Sequence, residues 1–388
     1  MARNEAVDGE AVDDQHAEFD PSTRLGFRPS LNGVRAAAVI PVVVGHTVSR
    51  LSPGGFSGVR LFFVLSGFLI TTLLFEEWAT QGAIRLGAFY ARRALRLLPA
   101  LFFIVAVDMV VVAALDGGTA LRHHVPTVFS ILFYFANWRS IPFDGGREFG
   151  HLWSLSVEEQ FYLLWPLGLI LMLRHLRVRT VIVIAAGSAV ASWCIAQTLE
   201  LHVKHGLSHL SEFDAQQIGR RHEFYGTDAV AYAILIGCVL ALLRSSGRIR
   251  ASDKYRTFLG GAGAASLVIY AIYVGTYPFE SHREIGLLIL TFAFALLVLC
   301  AVDAPRSLVT RLLSLPPLQL IGRVSYGLYL WHFVILSHLH RHLPHISVAE
   351  RTALAAVLTT IAVWFSYNFV EQPCLRWRKR LHVEAHPA

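Results

Sequence analysis

The feature that most constrains the fold of this chain is a series of apolar segments that recurs along most of its length. A membrane-spanning helix needs about 20 apolar residues, and we identify ten candidate spans. They lie at residues 33–49, 57–76, 95–115, 152–173, 179–199, 226–244, 257–276, 284–302, 321–341 and 350–370. Only 16% of the residues are charged, against about 25% in a typical soluble protein. We therefore predict an all-α polytopic membrane protein with about ten transmembrane helices.

The distribution of basic residues predicts how these helices are oriented. Arginines and lysines concentrate in the connecting segments 85–96, 174–179 and 244–256 and in the tail 376–380. Cytoplasmic loops carry an excess of such residues, and all four segments share one side only if the short apolar piece 125–137 does not cross. We predict that both termini are cytoplasmic and that 125–137 is a re-entrant or interfacial segment on the outside.

The two ends of the chain differ in composition from the membrane region. The first 20 residues contain seven acidic residues and one arginine. We expect 1–28 to be a disordered acidic tail, 29–373 to form the membrane domain, and 374–388 to be a basic cytoplasmic tail. The net charge of +7 comes largely from the short basic loops, so we expect the lipid bilayer, and no nucleic acid, as a partner.

Candidate metal ligands are sparse in the sequence. The four cysteines are isolated and show no metal-binding spacing, and we expect no bound metal or cofactor. One histidine-rich region approaches and enters a predicted outer loop, with His338, His340, His342 and His345. We favour a solvated loop over a metal site for these four residues.

Two residues in the first span are costly in an apolar environment. Arg35 and His46 are 11 positions apart, which places them on one helical face and about 16 Å apart along the axis. An arginine at the centre of a span costs about 3 kcal/mol, and such residues normally face a bundle interior. Snorkelling of Arg35 at the interface and a packing role for His46 remain open alternatives.

Two adjacent acids in the fourth predicted span reach a depth similar to that of His46. His46 lies about 20 Å from the inner end of its span, while Glu158 and Glu159 lie about 10 Å below the outer end of theirs. In a core about 30 Å thick these levels are similar. A histidine and a carboxylate at one depth suit a general base and the group that orients it. His332 is equally well explained as a structural residue beside Trp331.

Several ordered motifs carry a family resemblance. They are Asn32–Arg35 with His46, in an Arg-x10-His spacing; Gly58–Ile70 (GVRLFFVLSGFLI); Phe89–Pro99 (FYARRALRLLP); Trp153–Tyr162 (WSLSVEEQFY); Ser325–His332 (SYGLYLWH); and Ser366–Tyr367 with Glu371–Pro373. Together they make the chain resemble membrane-bound acyltransferase family 3, the integral-membrane O-acyltransferases, over about residues 29–373.

The resemblance implies about ten helices and transfer of an acyl group, commonly acetyl, from cytoplasmic acyl-CoA to a hydroxyl. The acceptor would be an envelope carbohydrate, a lipid or a small molecule. By resemblance His46 is the catalytic histidine, with Glu158 or Glu159 as its orienting carboxylate. Donor-binding residues would be Arg35, Arg92, Arg93 and Arg96. Acyl-CoA would be a co-substrate, and both direct transfer and an acyl-histidine relay remain open.

Other residues are expected to support the acceptor or the site. They are Arg60, Ser66, Asp228, Tyr326, Tyr329 and His332. For Ser66, which precedes Gly67, we favour close helix packing over a role as acyl carrier.

The chain departs from the family pattern at four positions. Relatives usually have aspartate at positions 32 and 60, arginine at 230 and aspartate at 232, where this chain has Asn32, Arg60, Val230 and Tyr232. Because the donor motifs are intact, we expect the acceptor side to have diverged.

Two other function classes compete with an acyltransferase of the bacterial plasma membrane. A transporter would also place charges inside a helix bundle, but transporters often contain inverted repeats, and we find none in the sequence. A receptor or scaffold would not require His46. Cytoplasmic arginines beside an Arg-x10-His face favour a long phosphorylated donor.

Overall fold

The computed structural model describes residues 19–143, 149–206, 212–249, 252–276 and 284–376. These residues form α-helices joined by short turns. The helices are α1 Pro29–Thr47, α2 Gly58–Gln81, α3 Leu86–Leu115, α4 Gly117–Leu132, α5 Ala136–Phe143, α6 Trp153–His175, α7 Val178–Gly206, α8 Glu212–Tyr225, α9 Thr227–Val230, α10 Tyr232–Ser245, α11 Asp253–Thr276, α12 Glu284–Asp303, α13 Leu308–Leu313, α14 Pro316–Arg323, α15 Ser325–His342 and α16 Val348–Phe365. A π-helical turn, Ser366–Glu371, continues α16.

The predicted all-α polytopic membrane fold is confirmed. Within the described residues, α2, α3, α7, α11, α12 and α16 are long and apolar enough to cross a membrane, and α14 with α15 adds a seventh span bent by 67°. The other three predicted spans correspond to α1, α6 and α10. Helices α1 and α6 carry charged residues that face the bundle, and α10 has only 14 residues. These three are not among the helices long and apolar enough to cross, so the described residues support six or seven of the ten predicted spans.

Segment 125–137 belongs to a hairpin of two helices, α4 and α5, neither of which is among the helices long and apolar enough to cross a membrane; its re-entrant or interfacial position stays a prediction. Helix α4 has 16 residues, about 24 Å, and the chain turns at Tyr134 (φ 56°) before α5 returns. The Tyr90 hydroxyl, near the start of α3, donates to the carbonyl of Leu163 in α6. Helices α3 and α6 therefore run antiparallel, and the hairpin between them begins and ends on one side of the bundle.

The N-terminal residues that the structure describes pack against the bundle, so the prediction of disorder is wrong for 19–28. Leu25 is buried, and its N–H donates to Glu76 at 2.8 Å. The ring of Phe19 contacts that of Phe75. Phe19 and Leu25 anchor this part of the tail by burying apolar surface, although the tail as a whole is acidic. Residues 1–18 and 377–388 of the predicted tails lie outside the described residues.

Glycines set the closest helix approaches around the site. A Cβ atom at Gly67 of α2 would overlap the carbonyl of Ile234 in α10, and one at Gly237 would overlap the carbonyl of Val64. The predicted packing role of the Ser66–Gly67 pair is therefore confirmed for its glycine. A Cβ at Gly322 would likewise overlap the carbonyl of Asn32, so the bent α14–α15 pair packs directly on the start of α1.

Candidate active site

The site has two parts, which we name by the ends of the bundle toward which they lie. The arginine end contains the start of α3 with Arg93 and Arg96. The histidine end is the opposite one, where α15 finishes at His342. A basic residue occupies the last turn of both α6 and α10 at the arginine end.

A pair of histidines lies toward the histidine end, at the close of α1. Nδ1 of His46 lies 3.0 Å from Nε2 of His332. Nδ1 of His332 lies 3.0 Å from the Leu328 carbonyl oxygen, one turn earlier in α15. Because a carbonyl only accepts, His332 carries its proton on Nδ1 and accepts at Nε2. His46 therefore donates from Nδ1, which leaves its Nε2 as a proton acceptor.

Aromatic rings hold this pair in place. The Phe333 ring packs edge-on against His46, with the centroids 4.8 Å apart. His151, in the short turn before α6, is buried, and its ring centroid lies 5.3 Å from that of His332. His332 is also buried, whereas His46 is exposed. The accessible imidazole thus stands in front of two buried ones.

A cavity of about 100 Å³ lies toward the arginine end. Charged and hydroxyl side chains on its wall are Arg35, Ser66, Arg93, Arg96, Ser154, Glu158, Tyr162, Ser325, Tyr326 and Tyr329. Arg35 donates to the side-chain oxygen of Asn32 at 3.0 Å, so its hydrogen-bond partner is neutral. The remaining wall residues are apolar, so the cavity combines cationic and apolar side chains. We call it the arginine cavity.

Glu158 is held inside the arginine cavity by two hydroxyl groups. Ser66 donates to one carboxyl oxygen at 2.8 Å, and the Tyr162 hydroxyl lies 3.4 Å from the other. Ser66 thus supports Glu158. The guanidinium of Arg93 lies over the Tyr162 ring, 4.5 Å from its centroid.

Arg92 does not belong to this group, although we predicted it as a donor residue. It lies 3.7 Å from Glu77 in an ion pair and is absent from the described wall of the cavity. Arg92 and Arg93 are consecutive in α3, so about 100° separates their directions on the helix.

The prediction that Glu158 lies level with His46 and orients it is wrong. Glu158 shares the cavity with Arg35, which lies about 16 Å along α1 from His46, and the orienting hydrogen bond to His46 comes from His332. The error arises because α6 does not start at the membrane surface. The hairpin carries the chain inward first, so that Ser154 in the first turn of α6 already bonds to Tyr329 in the second turn of α15.

Tyr329 separates the two parts of the site. Its ring lines the arginine cavity and also packs against His151 and His332, with centroids 5.1 and 5.8 Å away. Its hydroxyl donates to the carbonyl oxygen of His151. Phe62 lies against the same ring. Tyr326, one turn earlier, donates to the Leu97 carbonyl at 2.9 Å and also lines the cavity.

Glu159 faces a different cavity from its neighbour. One of its carboxyl oxygens is buried with no hydrogen-bond partner in the described residues. The cavity has a volume of about 280 Å³ and also contacts Arg93, Tyr134 and Tyr162. Glu158 and Glu159 therefore face different cavities, and the hydrogen bond to His46 comes from His332 instead.

Three of the four positions predicted to depart from the family pattern, Arg60, Val230 and Tyr232, meet at one point. The buried guanidinium of Arg60 lies over the ring of Tyr232, 5.2 Å from the centroid, and 3.4 Å from the carbonyl oxygen of Val230. Arg60 and Tyr232 thus form a cation–π contact. Asp228 lies apart from this contact and from the arginine cavity, and pairs with His222 at 3.0 Å.

The predicted solvated loop at the histidine end is only partly solvated. His338 lies 2.8 Å from the buried Asp108, and His342 lies 3.6 Å from Asp116. In the described part of the chain no group of three ligand residues is arranged to hold a metal ion.

Sequence reasoning missed His151 and Tyr162. His151 falls in a segment predicted to be an outer loop, and only the fold shows that the segment turns into the bundle. Tyr162 ends a motif that we quoted for the resemblance, and its spacing of four residues from Glu158 places both on one helical face, which was a usable signal.

A multi-pass bundle with an arginine-lined cavity and an accessible, hydrogen-bonded histidine defines a membrane protein equipped for acid–base chemistry on a charged substrate. Comparison with known proteins identifies the family. The family model described as acyltransferase domain matches residues 28–369, and the chain belongs to that family. It is accordingly a multi-pass cell-membrane protein.

Three curated relatives illustrate the similarity. Peptidoglycan O-acetyltransferase OatA of Listeria monocytogenes is 30% identical over 367 residues, which cover 89% of this chain and 56% of the relative. Putative peptidoglycan O-acetyltransferase YrhL of Bacillus subtilis is 32% identical over 364 residues, with 89% and 55% covered. O-acetyltransferase OatA of Staphylococcus aureus is 31% identical over 362 residues, with 89% and 57% covered.

The chain spans little more than half the length of the curated relatives it matches. No solved structure matches it.

Proposed function

We propose that this protein is an integral-membrane O-acyltransferase that moves an acyl group, acetyl in the expected case, from acyl-CoA to a hydroxyl of a cell-envelope carbohydrate. The observation that carries the proposal is the hydrogen-bond chain from Leu328 through His332 to His46, which leaves a proton acceptor on an accessible ring. The names of the relatives support O-acetyl transfer as the reaction class and carbohydrate as the acceptor.

The donor enters from the arginine end. Basic loops concentrate there, which assigns that end to the cytoplasm, where acyl-CoA is available. Guanidinium groups bind phosphates through paired hydrogen bonds, and Arg93 and Arg96 lie near the start of α3 where the CoA phosphates would arrive. Arg35 lies further along the same cavity wall. The slender pantetheine arm would follow the cavity toward Tyr329.

The acceptor hydroxyl approaches His46 from the histidine end. Nε2 of His46 takes the hydroxyl proton while the oxygen attacks the thioester carbonyl carbon. The carbon–sulfur bond then breaks, the acyl group stays on the acceptor oxygen, and the proton passes from His46 to the departing thiolate. Imidazole suits both steps because its free ring nitrogen can accept a proton and return it.

Two routes bring the acyl group to the acceptor. In direct transfer the thioester passes the contact between Phe62 and Tyr329 and meets the hydroxyl at His46. In a relay His46 first accepts the acyl group on Nε2 and then yields it to the hydroxyl. Both routes require movement of Tyr329, because its ring stands between the arginine cavity and the histidine pair.

Glu158 acts on the donor side in this scheme. Its carboxyl holds Ser66 and Tyr162, and the Tyr162 ring supports the Arg93 guanidinium. Through the Tyr162 ring, Glu158 therefore helps to orient the Arg93 guanidinium, which we propose binds phosphate. A transporter would use the cavity charges as well, but it would not consume acyl-CoA.

The direct test is acyl-CoA turnover by the full-length protein in proteoliposomes supplied with carbohydrate acceptors. His46→Ala should abolish acceptor-dependent release of CoA, while the exposed His345→Ala serves as a matched control at the same end of the bundle. Arg93→Glu should raise KM for acyl-CoA more than it changes KM for the acceptor. Parent-level turnover by a folded His46→Ala protein would remove the basis of the proposal.

A second measurement separates the two routes. The protein is incubated with isotope-labelled acetyl-CoA without acceptor and then digested for mass spectrometry. Label on the His46 peptide that is released by added acceptor supports the relay. Its absence, together with normal turnover, supports direct transfer.

A further inference from the structure

A third cavity lies between α3, α15 and α16 near the histidine end. Its volume is about 230 Å³, and nine of its twelve wall residues are apolar: Val107, Val111, Leu115, Trp331, Val334, Ile335, Leu339, Leu343 and Leu358. Leu115 is 61% exposed at its edge. Since exposed apolar residues of a membrane bundle face lipid, the cavity opens to the bilayer. We call it the outer cavity.

The polar wall of the outer cavity consists of Asp108, His338 and His342. Both Asp108 oxygens are occupied, by His338 at 2.8 Å and by His124 at 2.6 Å. Nδ1 of His338 and Nε2 of His342 are buried without hydrogen-bond partners in the described residues. The two imidazole rings are stacked, with centroids 5.9 Å apart. At the end of the cavity, Nε2 of His342 faces Asp116 at 3.6 Å, and Nδ1 of His338 has no partner in the described residues.

The rim of the outer cavity is basic. Residues 338–351 contain four histidines and two arginines but one acidic residue, Glu350. Arg341 and His342 share Asp116 as an ion-pair partner, at 2.9 and 3.6 Å. By the predicted orientation this rim lies outside the cell, where short loops are normally poor in arginine. The positive-inside rule therefore does not account for the two arginines of this rim.

The apolar wall of the cavity and its basic rim match the apolar chain and the anionic headgroup of an amphiphile. His338 and His342 lie about 9 and 15 Å beyond His332 along α15, toward the end of the helix, and the apolar wall continues inward to Trp331. A single apolar chain fits the cavity, and an anionic headgroup fits the histidine–arginine rim. Two chains of a diacyl lipid would exceed its volume.

We propose that the outer cavity binds a lipid phosphate of the outer leaflet, with its chain between α3, α15 and α16 and its phosphate at His338 and His342. This inference rests on the proposed function for its purpose. A carbohydrate linked to the phosphate would lie at the same end of the bundle as His46, whose partner His332 follows Trp331 of the cavity wall. The acceptor class is then a carbohydrate carried on a lipid phosphate.

Binding can be tested without any acyl transfer. A brominated single-chain alkyl phosphate is titrated into the protein in nanodiscs, and quenching of Trp fluorescence is recorded. We expect saturable quenching that is largely lost in Trp331→Phe. The brominated alcohol of the same chain length should bind at least about tenfold more weakly, because it lacks the phosphate charge.

Variants separate the phosphate contact from the chain contact. His338→Gln with His342→Gln should weaken the phosphate about tenfold and leave the alcohol unchanged, whereas His345→Gln, outside the cavity, should change neither. Val111→Phe fills the cavity and should weaken both ligands, and thermal unfolding checks that each variant is folded. Equal binding of phosphate and alcohol, or quenching that survives Trp331→Phe, overturns the inference.

The outcome is distinguishable from failure of the proposed function. Acyl transfer to soluble carbohydrate without binding of the alkyl phosphate leaves the reaction intact and removes the outer-cavity site. Specific phosphate binding without any consumption of acyl-CoA supports the outer-cavity site and contradicts the proposed reaction. If both hold, a phosphate-linked carbohydrate should show a lower KM than the free carbohydrate, and the double histidine variant should abolish that difference.

Discussion

The ring nitrogens of His46 and His332 lie 3.0 Å apart, although 286 positions separate the two residues in the chain. Helix α1 supplies the accessible imidazole and α15 supplies the buried one. The Leu328 carbonyl fixes the proton on His332, and His332 in turn fixes the proton on His46. A backbone carbonyl in α15 therefore determines which nitrogen of His46 accepts a proton.

Loss of this contact should reduce the rate. We expect His332→Leu to lower kcat about fivefold, because a hydrogen bond of this kind contributes about 1 kcal/mol. His332→Gln should retain more activity, since its side-chain oxygen can accept the Nδ1 proton of His46. Both are measured as acceptor-dependent CoA release, with unchanged KM for acyl-CoA. A His332→Leu enzyme as fast as the parent would show that the pair has no part in the reaction.

Sequence reasoning singled out His46 as the functional histidine of the first span, but it did not predict that His332 is its partner. The 11-residue spacing and the cost of charge in a span placed Arg35 and His46 on one face of one helix, and α1 has that form. Nothing local indicates which distant side chain meets His46. Depth arguments selected Glu158, because they assumed that every span starts at the membrane surface.

The hairpin is the reason that assumption fails. Charge distribution and the shortness of 125–137 predict that this segment does not cross, and the structure forms it into a helical hairpin. Its depth depends on long-range contacts that no local pattern encodes, such as the amide of Gln160 donating to the carbonyl of Tyr134 at 2.7 Å and to Asn137 at 3.0 Å. These contacts draw the start of α6 inward, and Glu158 moves with it to the arginine cavity.

The neutral partner of Arg35 should influence donor affinity. Asn32→Asp places a carboxylate beside the Arg35 guanidinium, which now contacts the Asn32 side-chain oxygen at 3.0 Å. We expect KM for acyl-CoA to rise about three- to tenfold, because an added negative charge near the cavity repels the donor phosphates by about 1 kcal/mol. The rise should shrink at high ionic strength.

Asn32→Ala provides the control for this substitution. It removes the hydrogen bond without adding charge, so steady-state kinetics should show a smaller and salt-independent change. A fall in KM for Asn32→Asp would mean that the carboxylate orders Arg35 more than it repels the donor.

Asp108 should be one of the most sensitive positions for stability. It is fully buried and joins His124 of the hairpin to His338 of α15. Asp108→Leu leaves both imidazoles without their partner, and breaking a buried ion pair costs about 3–5 kcal/mol. We expect a large fall in the thermal unfolding midpoint in detergent, and a smaller one for Asp108→Asn, which keeps hydrogen-bonding capacity.

Asp116→Asn is the matched comparison for Asp108. Asp116 also pairs with residues of α15, but its partner Arg341 is 30% exposed, and partly exposed pairs contribute about 0–1 kcal/mol. Equal falls for Asp108→Leu and Asp116→Asn would show that burial does not decide the strength of these pairs.

The approach of α2 to α10 should tolerate no side chain at Gly237. Gly237→Ala would place its Cβ against the Val64 carbonyl and the N–H of Phe68, so the helices must separate where α2 carries Ser66 into the arginine cavity. We expect a lower unfolding midpoint together with a higher KM for acyl-CoA. Gly168→Ala in α6 is the control, because no atom within 4 Å would meet its Cβ. There the exchange should raise stability by up to about 1 kcal/mol through helix propensity. Similar behaviour of the two variants would argue that close packing of α2 on α10 does not shape the cavity.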